Sequence, residues 1–371
     1  MDEPGGRGGI GAGILPDTAI RALIEAGELR LERPADTEQV QPASLDLRLG
    51  ARAFRVRASF LPGPEHSVAE KLERFSLHAF DLSEGAVLET GCVYIVPLLE
   101  SLALPAGLEA SANPKSSTGR LDVFTRVIAD RARAFDQVAA GYAGPLYLEI
   151  SPRTFPILVR TGSRLAQIRF RRGRARLDDS ELADLHRRAA LASGEPRFAG
   201  GLAVSVDLAG EFSSGEGLIG YRAKRHTGVI DVDRPGAYRI ADFWEELRPS
   251  ADAGLILDPD QFYILASREA VTVPPETAAE MVPFDPLVGE FRVHYAGFFD
   301  PGFGHEAAGG YGSRAVLEVR SREVPFILEH GQTVGRLVYE RMAAPPTRVY
   351  GAGLRSNYQG QALKLSKHFR A

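Results

Sequence analysis

Residues 111–121 read SANPKSSTGRL. Lys115, Ser116, Ser117 and Arg120 follow Pro114 closely, and Gly119 sits among them. A proline before such a run and a glycine inside it mark irregular backbone. Backbone N–H groups, two hydroxyls and two cations then face one small volume, a donor set suited to phosphate oxygens. The competing reading is a polar surface turn. A second candidate is Glu149, in the stretch YLEI. Tyr147, Leu148 and Ile150 surround it with apolar mass on a strand, which raises a carboxyl pKa and suits general acid/base work. Its competing reading is a glutamate on the solvent face of an amphipathic strand. Glu318 repeats the pattern in AVLEV.

Other chemistries find no residues. Zinc deaminases need H-x-E with P-C-x-x-C, but the chain has one cysteine, Cys92, and its eight histidines form no H-x-H or H-x-x-x-H pair. The expectation is no zinc and no protein metal cage. A G-x-x-x-x-G-K-[ST] loop, a G-x-S-x-G elbow and the kinase motifs are missing. GRGGIG near the amino terminus has no strand before it, so it is not read as a dinucleotide fingerprint. A net charge of −4 offers no general attraction to nucleic acid or an anionic membrane. Any phosphate site must therefore be local. One cysteine, no signal-peptide core and no run of 18 apolar residues lead to the expectation of a cytoplasmic protein with no membrane partner.

The elements that must position these residues are mostly strands. With 371 residues the chain can fill two to three domains. Residues 14–30 have the stripe of an amphipathic helix, with Asp17 as its cap and Gly27 as its end. In QPASLDLRLG (41–50), Leu45, Leu47 and Leu49 alternate with Asp46 and Arg48, the period of a half-buried strand. Short apolar runs punctuated by glycine and proline follow to about residue 170 and suggest a β-barrel or sandwich. The chain also repeats itself. Residues 85–98 overlay 254–267, and 145–170 overlay 314–339, at one offset of 169 positions, as from Glu149 to Glu318. Residues 1–175 are thus one domain, carrying the serine loop. Residues 176–205 are a linker with a short helix over Asp179–Ala192. Residues 206–371 are a degenerate second domain ending in an arm. At the same offset Lys115, Ser116, Ser117 and Arg120 fall on Phe284, Asp285, Pro286 and Gly289. The second copy has lost the candidate phosphate ligands. Its tail (349–369) reads either as a loose end or as an arm closing over a ligand.

In order along the chain, QPASLDLRLG, PKSSTGRL, Val127-Ile128-Ala129, GYAG–PLYLE and Tyr350…Asn357-Tyr358-x-x-Gln361 resemble the dCTP deaminases of the trimeric dUTPase superfamily, in a long two-domain form. The resemblance implies a mainly β fold of two tandem, distorted, jelly-roll-like barrels with a few short helices. It implies hydrolysis of dCTP to dUTP and ammonia without zinc, supplying dUTP and dUMP for thymidylate synthesis. Mg²⁺ would arrive with the triphosphate. The loop Lys115–Arg120, with Ser116, Ser117 and Arg120, would hold the phosphates. Val127 and Ala129 would clamp the cytosine edge. Glu149 would move the protons, and Tyr350, Asn357 and Gln361 would close the site from the tail. Asp136 and Tyr147 join the substrate contacts. Asn357 stands where the family has a lysine, and either Asp130 or Asp136 matches the family's turn aspartate. Base pocket and phosphate loop come from neighbouring domains in this superfamily. The glutamate meeting Ser116 is then Glu149 of another chain, or Glu318. Glu149 is preferred because Val127 and Ala129 share its copy. A homo-oligomer with trimer-like domains is expected. The alternatives are a dUTP pyrophosphatase or bifunctional enzyme, using Asp130 or Asp136, and a non-catalytic nucleotide sensor.

Overall fold

The computed structural model describes residues 11–211, 217–250, 254–283, 291–294, 297–321, 323–351, 358 and 360–370. GRGGIG, the second-copy stretch 284–290 and Asn357 fall outside them, wholly or in part. The duplication is visible strand by strand. In the first half Arg164–Arg172 pairs with Leu108–Pro114 in antiparallel register, Ile168 opposite Ala112. In the second half Thr333–Arg341 pairs with Thr277–Pro283, Leu337 opposite Met281. The other sheet runs Ser76–Asp81, Arg52–Val56, Val93–Ala103, Ala143–Pro152, Val123–Ala129 in the first half. The corresponding order in the second half is Trp244–Leu247, Gly220–Ala223, Phe262–Val271, Ser313–Ser321, Phe291–His294. Each half is therefore mainly β, with apolar side chains such as Leu47, Leu108 and Ile168, or Leu202, Leu265 and Leu317, packed in its core. The tandem β architecture expected from the repeat is the observed one.

Three local readings change. Asp17 does not cap its helix; Pro16 holds that position, and the Asp17 carboxylate instead accepts the Thr347 backbone N–H at 2.9 Å. The strand Leu45–Arg48 is buried on both faces, not half-exposed. Its polar face points inward because Arg48 meets the fully buried Glu100, Nε to Oε1 at 2.8 Å, while Asp46 turns toward a cavity. The segment read as a linker belongs to the second core. The helix Asp179–Arg188 is capped by Asp178 and buries Leu182 and Leu185 there, and Leu202–Ser205 pairs with Thr333–Arg341.

The two halves meet through buried charge. Arg320 of the second half donates to Asp122 and, at 3.0 Å, to Thr154 Oγ1 of the first. Asn113 donates to Glu280 at 2.7 Å. The carboxy-terminal arm completes the seam. Phe369 sits among Phe155, Tyr238, Phe243 and Trp244, with ring centroids 5.4 to 6.4 Å away. The strand Phe369–Arg370 runs parallel to Tyr238–Arg239. The seam generates a stability prediction. Asp122 has a left-handed backbone (φ 55°) that asparagine also tolerates. Asp122→Asn keeps shape but leaves Arg320 buried without its counter-charge, a loss of about 3 kcal/mol or more. The urea midpoint should fall with an unchanged slope; an unmoved midpoint would show that the pair contributes nothing net.

Candidate active site

A cavity of about 360 Å³ lies at the seam. Its floor is the serine loop. The strand Leu108–Pro114 ends there, and Ser116–Gly119 makes one helical turn. The first amides of a helical turn have no acceptor within the helix, so they face outward. Lys115, Ser116, Ser117 and Arg120 all line the cavity, joined by Arg164 and Lys367. Four cations thus converge on one side. Asp46 braces two of them: Oδ2 accepts Lys115 Nζ and lies 3.5 Å from Arg164, while its buried Oδ1 has no hydrogen-bond partner. Neither Asp46, Arg164 nor Lys367 was singled out in the sequence. Asp46 and Arg164 sit on strands whose alternation looked structural, and Lys367 lies in the arm.

The opposite wall comes from the second half: Gly297, Phe298, Phe299, Asp300, Phe303 and Glu318. Glu318 lies in the middle of the strand Ser313–Ser321, fully enclosed, with Oε1 3.7 Å from Arg120 Nε. Burial raises its carboxyl to about 8, against the pull of the Arg120 guanidinium. Asp300 is likewise raised by burial, to about 6, with Arg169 opposing the shift. Its Oδ1 is buried without a hydrogen bond. The tail closes the end. Tyr350 packs on Phe303 and its N–H donates to the Pro301 carbonyl at 2.7 Å. Gly302 makes this approach possible: it has φ +93°, and a Cβ there would lie 2.7 Å from Val349 Cβ. Arg120 is the hub. It donates to Gln361 Oε1 (3.1 Å) and the Lys364 carbonyl (2.9 Å), and its guanidinium stacks 3.9 Å from the Tyr358 ring centre. Ser366 donates to the Ser117 carbonyl at 2.7 Å, so the arm is tied to the serine loop itself.

Within one chain the two glutamates stand in different places. Glu318 shares the cavity with Ser116, Ser117 and Arg120, and Glu149 does not. Val127, Ala129, Asp136 and Tyr147 are also absent from its lining and stay with Glu149 in the first half. There Glu149 Oε1 accepts Arg126 Nη2 at 2.6 Å and Nε at 3.0 Å. Arg126 in turn is sandwiched over Phe135, 3.5 Å from the ring centre. Asp136 Oδ1 accepts the Val127 N–H at 2.7 Å, with burial pushing the Asp136 carboxyl up to about 7. Arg126 thus occupies Glu149 Oε1, while the buried Oε2 of Glu149 has no hydrogen-bond partner. The signal that could have found Glu318 was already in the repeat: a loop kept only in the first copy needs its glutamate from the second if the halves stand as neighbouring domains. Among the described residues no group of three or more His, Cys, Asp or Glu side chains is placed to hold a metal ion.

Comparison with known proteins agrees with this division. The family model of the 2'-deoxycytidine 5'-triphosphate deaminase N-terminal domain matches residues 11–174, and that of the C-terminal domain matches 178–369. The chain is 35% identical over 159 residues to a dUMP-forming dCTP deaminase of Corynebacterium glutamicum, covering 42% of this chain and 78% of that one. It is 31% identical over 163 residues to a dCTP deaminase of Natronomonas pharaonis, covering 42% and 79%. A crystal structure of 2'-deoxycytidine 5'-triphosphate deaminase from Agrobacterium tumefaciens superposes with a TM-score of 0.86 at 68% identity, over 89% of this chain and 99% of that one.

The burial of Glu318 has a measurable consequence for stability. Its folded pKa, about 8, lies above the ordinary carboxyl value of 4.5, so folding takes up a proton between these limits. Stability from this group is full below about pH 4.5 and is lost as pH rises through 8, by up to about 1.4 kcal/mol per pH unit. Glu318→Gln, which cannot ionise, should melt above the parent at pH 9, and the two should converge at pH 5. Parallel melting curves at all pH values would show that Glu318 is not held protonated.

Proposed function

The chain belongs to the dCTP deaminase family in its long two-domain form, and we infer from this that it deaminates dCTP in the cavity between its two halves. The observation that carries the reading is the pairing of a buried glutamate of raised pKa, Glu318, with a four-cation socket in one cavity. Ser116, Ser117, Lys115, Arg120, Arg164 and Lys367 take the triphosphate, Arg by fork-like hydrogen bonds and Lys as point charges. Phe298 supplies an apolar surface for the base. Asp300, 3.6 Å from Arg169, offers a buried oxygen without a hydrogen bond, and the hydroxyl left on a triphosphorylated 2′-deoxynucleoside is its 3′ one. Tyr350 and Gln361 close the end.

The chemistry assigned to this chain runs through Glu318. Its carboxylate takes a proton from water as the water oxygen bonds to C4 of cytosine, and it passes a proton to N3. A second transfer carries the proton of the new C4 hydroxyl to the amino nitrogen. The C4–N bond then breaks, ammonia leaves and a C4 carbonyl remains. Arg120 stands within reach of both the phosphates and Glu318, so triphosphate binding and the ionisation of the acid/base group share one cation. Activation by a carboxylate, with no zinc, is part of this proposal and rests on the enclosed position of Glu318. A divalent cation such as Mg²⁺, carried by the triphosphate, would neutralise part of the phosphate charge. The protein fits it as a supporting ligand only: the unpartnered Asp46 Oδ1 is one oxygen, suited to a hydrated ion rather than a cage. A role in supplying dUMP for thymidylate synthesis, and self-association of chains through other repeat faces, belong to the same proposal. Sedimentation at assay concentration tests the latter.

The test is product analysis with dCTP and Mg²⁺. Equimolar ammonia and dUTP are expected; dUMP with pyrophosphate would instead reveal a second hydrolytic step in the same cavity. Glu318→Gln should still bind dCTP but lose at least about 10³-fold in kcat, while Glu149→Gln stays within about threefold of the parent. The reverse result would return the acid/base role to Glu149. Because the ionised carboxylate is the working form, kcat/KM should rise about tenfold per pH unit up to about 8 and then level.

A further inference from the structure

Arg169 is an anomaly. It belongs to the first half's strand Arg164–Arg172, at the position that the second half fills with Val338, and it is fully buried. A charge there costs several kcal/mol unless it is matched. Its partners lie across the seam, and they converge on one wall. Nη1 donates to the Ala279 carbonyl at 3.2 Å and Nη2 to the Phe299 carbonyl at 3.4 Å. Nη2 lies 3.6 Å from Asp300 Oδ1 and Nη1 3.7 Å from Glu340. The guanidinium also stacks 4.0 Å from the centre of the Phe298 ring. Phe298, Phe299 and Asp300 are the cavity wall facing the phosphate socket. The same strand carries Arg164 and Gln167, which line the cavity directly. One strand of the first half thus supports the socket at one end and grips the opposite wall at the other.

We propose that Arg169 is a positioning residue for the deamination: it orients Phe298 and Asp300 against the base and sugar, and so sets the distance between the phosphate socket and the acid/base wall. A guanidinium suits the task because its planar fork serves two carbonyls and a ring face at once, which neither valine nor lysine can do. This rests on the reading of the cavity as the dCTP site.

The experiment compares the full-length parent with Arg169→Met, Arg169→Lys and Arg171→Met. Arg171 is the control: it is on the same strand and also reaches Glu340, at 3.3 Å, but is not part of the cavity lining. Ammonia release from dCTP gives kcat and KM, and calorimetry gives the affinity for inorganic triphosphate. Arg169→Met should lose at least about 100-fold in kcat, with triphosphate affinity within threefold of the parent. Arg169→Lys should recover part of the rate, and Arg171→Met should stay within threefold. If Arg169→Met does not fold, the lysine variant carries the test: a tenfold or greater fall in kcat at unchanged triphosphate affinity supports the assignment. Unchanged kcat in the variants that fold, or a fall matched by Arg171→Met, overturns it. If the parent itself releases no ammonia, the reading of the site fails separately. Arg169 is then judged by dCTP affinity, where a tenfold loss relative to triphosphate supports it and none overturns it.

Discussion

Charge at the seam between the two halves is the constraint on which the rest of this structure depends. Ion pairs removed from water must be matched closely or they destabilise the fold. Here Arg320 meets Asp122, Arg169 meets the Phe299 carbonyl and Asp300, and Arg120 lies beside Glu318. Each contact joins one half to the other. Every one fixes the relative position of the halves as well as neutralising a charge. The cavity inherits its geometry from them, because its cations and its carboxylic acid come from opposite sides.

Duplication followed by division of labour accounts for the asymmetry. The first half keeps the serine loop, and the second presents the enclosed glutamate. Glu149, the counterpart of Glu318, is also buried but surrounded differently. Arg126 satisfies one of its oxygens, and Asp136 occupies the Val127 N–H. Glu149 is held by a guanidinium at 2.6 Å, whereas the cation beside Glu318 lies at 3.7 Å and burial raises the Glu318 carboxyl to about 8. The same residue at the same place in the repeat thus has two characters, set by what lies across from it.

The arm ties these parts together. Its aromatic anchor, Phe369, packs among residues of both halves, and its polar stretch reaches Arg120 through Gln361 and the Lys364 carbonyl. Burial holds His368 down to about 4, so the ring is neutral at neutral pH and packs beside Ser366, which holds the serine loop. The arm adds Lys367 to the socket, so the loss of a lysine at position 357 does not leave the tail without a cation.

Much of this was legible in the chain alone. The strand-rich pattern, the offset of 169 and the clustering of cations and hydroxyls at Lys115, Ser116, Ser117 and Arg120 follow from local residue types and spacing, which the sequence records directly. So do the roles of Tyr350 and Gln361 as lining residues, once the tail is read as an arm. Other features were not legible. Asp46 and Arg48 looked like the wet face of a strand, and nothing in the sequence marked Arg169. Burial of a polar face depends on what packs over it, and here that partner is far along the chain or in the other repeat. The choice between Glu149 and Glu318 was also open, because both sit in the same motif. Only the tertiary structure shows that Glu318 is the one sharing a cavity with Ser116 and Arg120. Proton chemistry depends on distance and desolvation across the seam, and those are properties of how the two halves meet, not of either stretch of sequence.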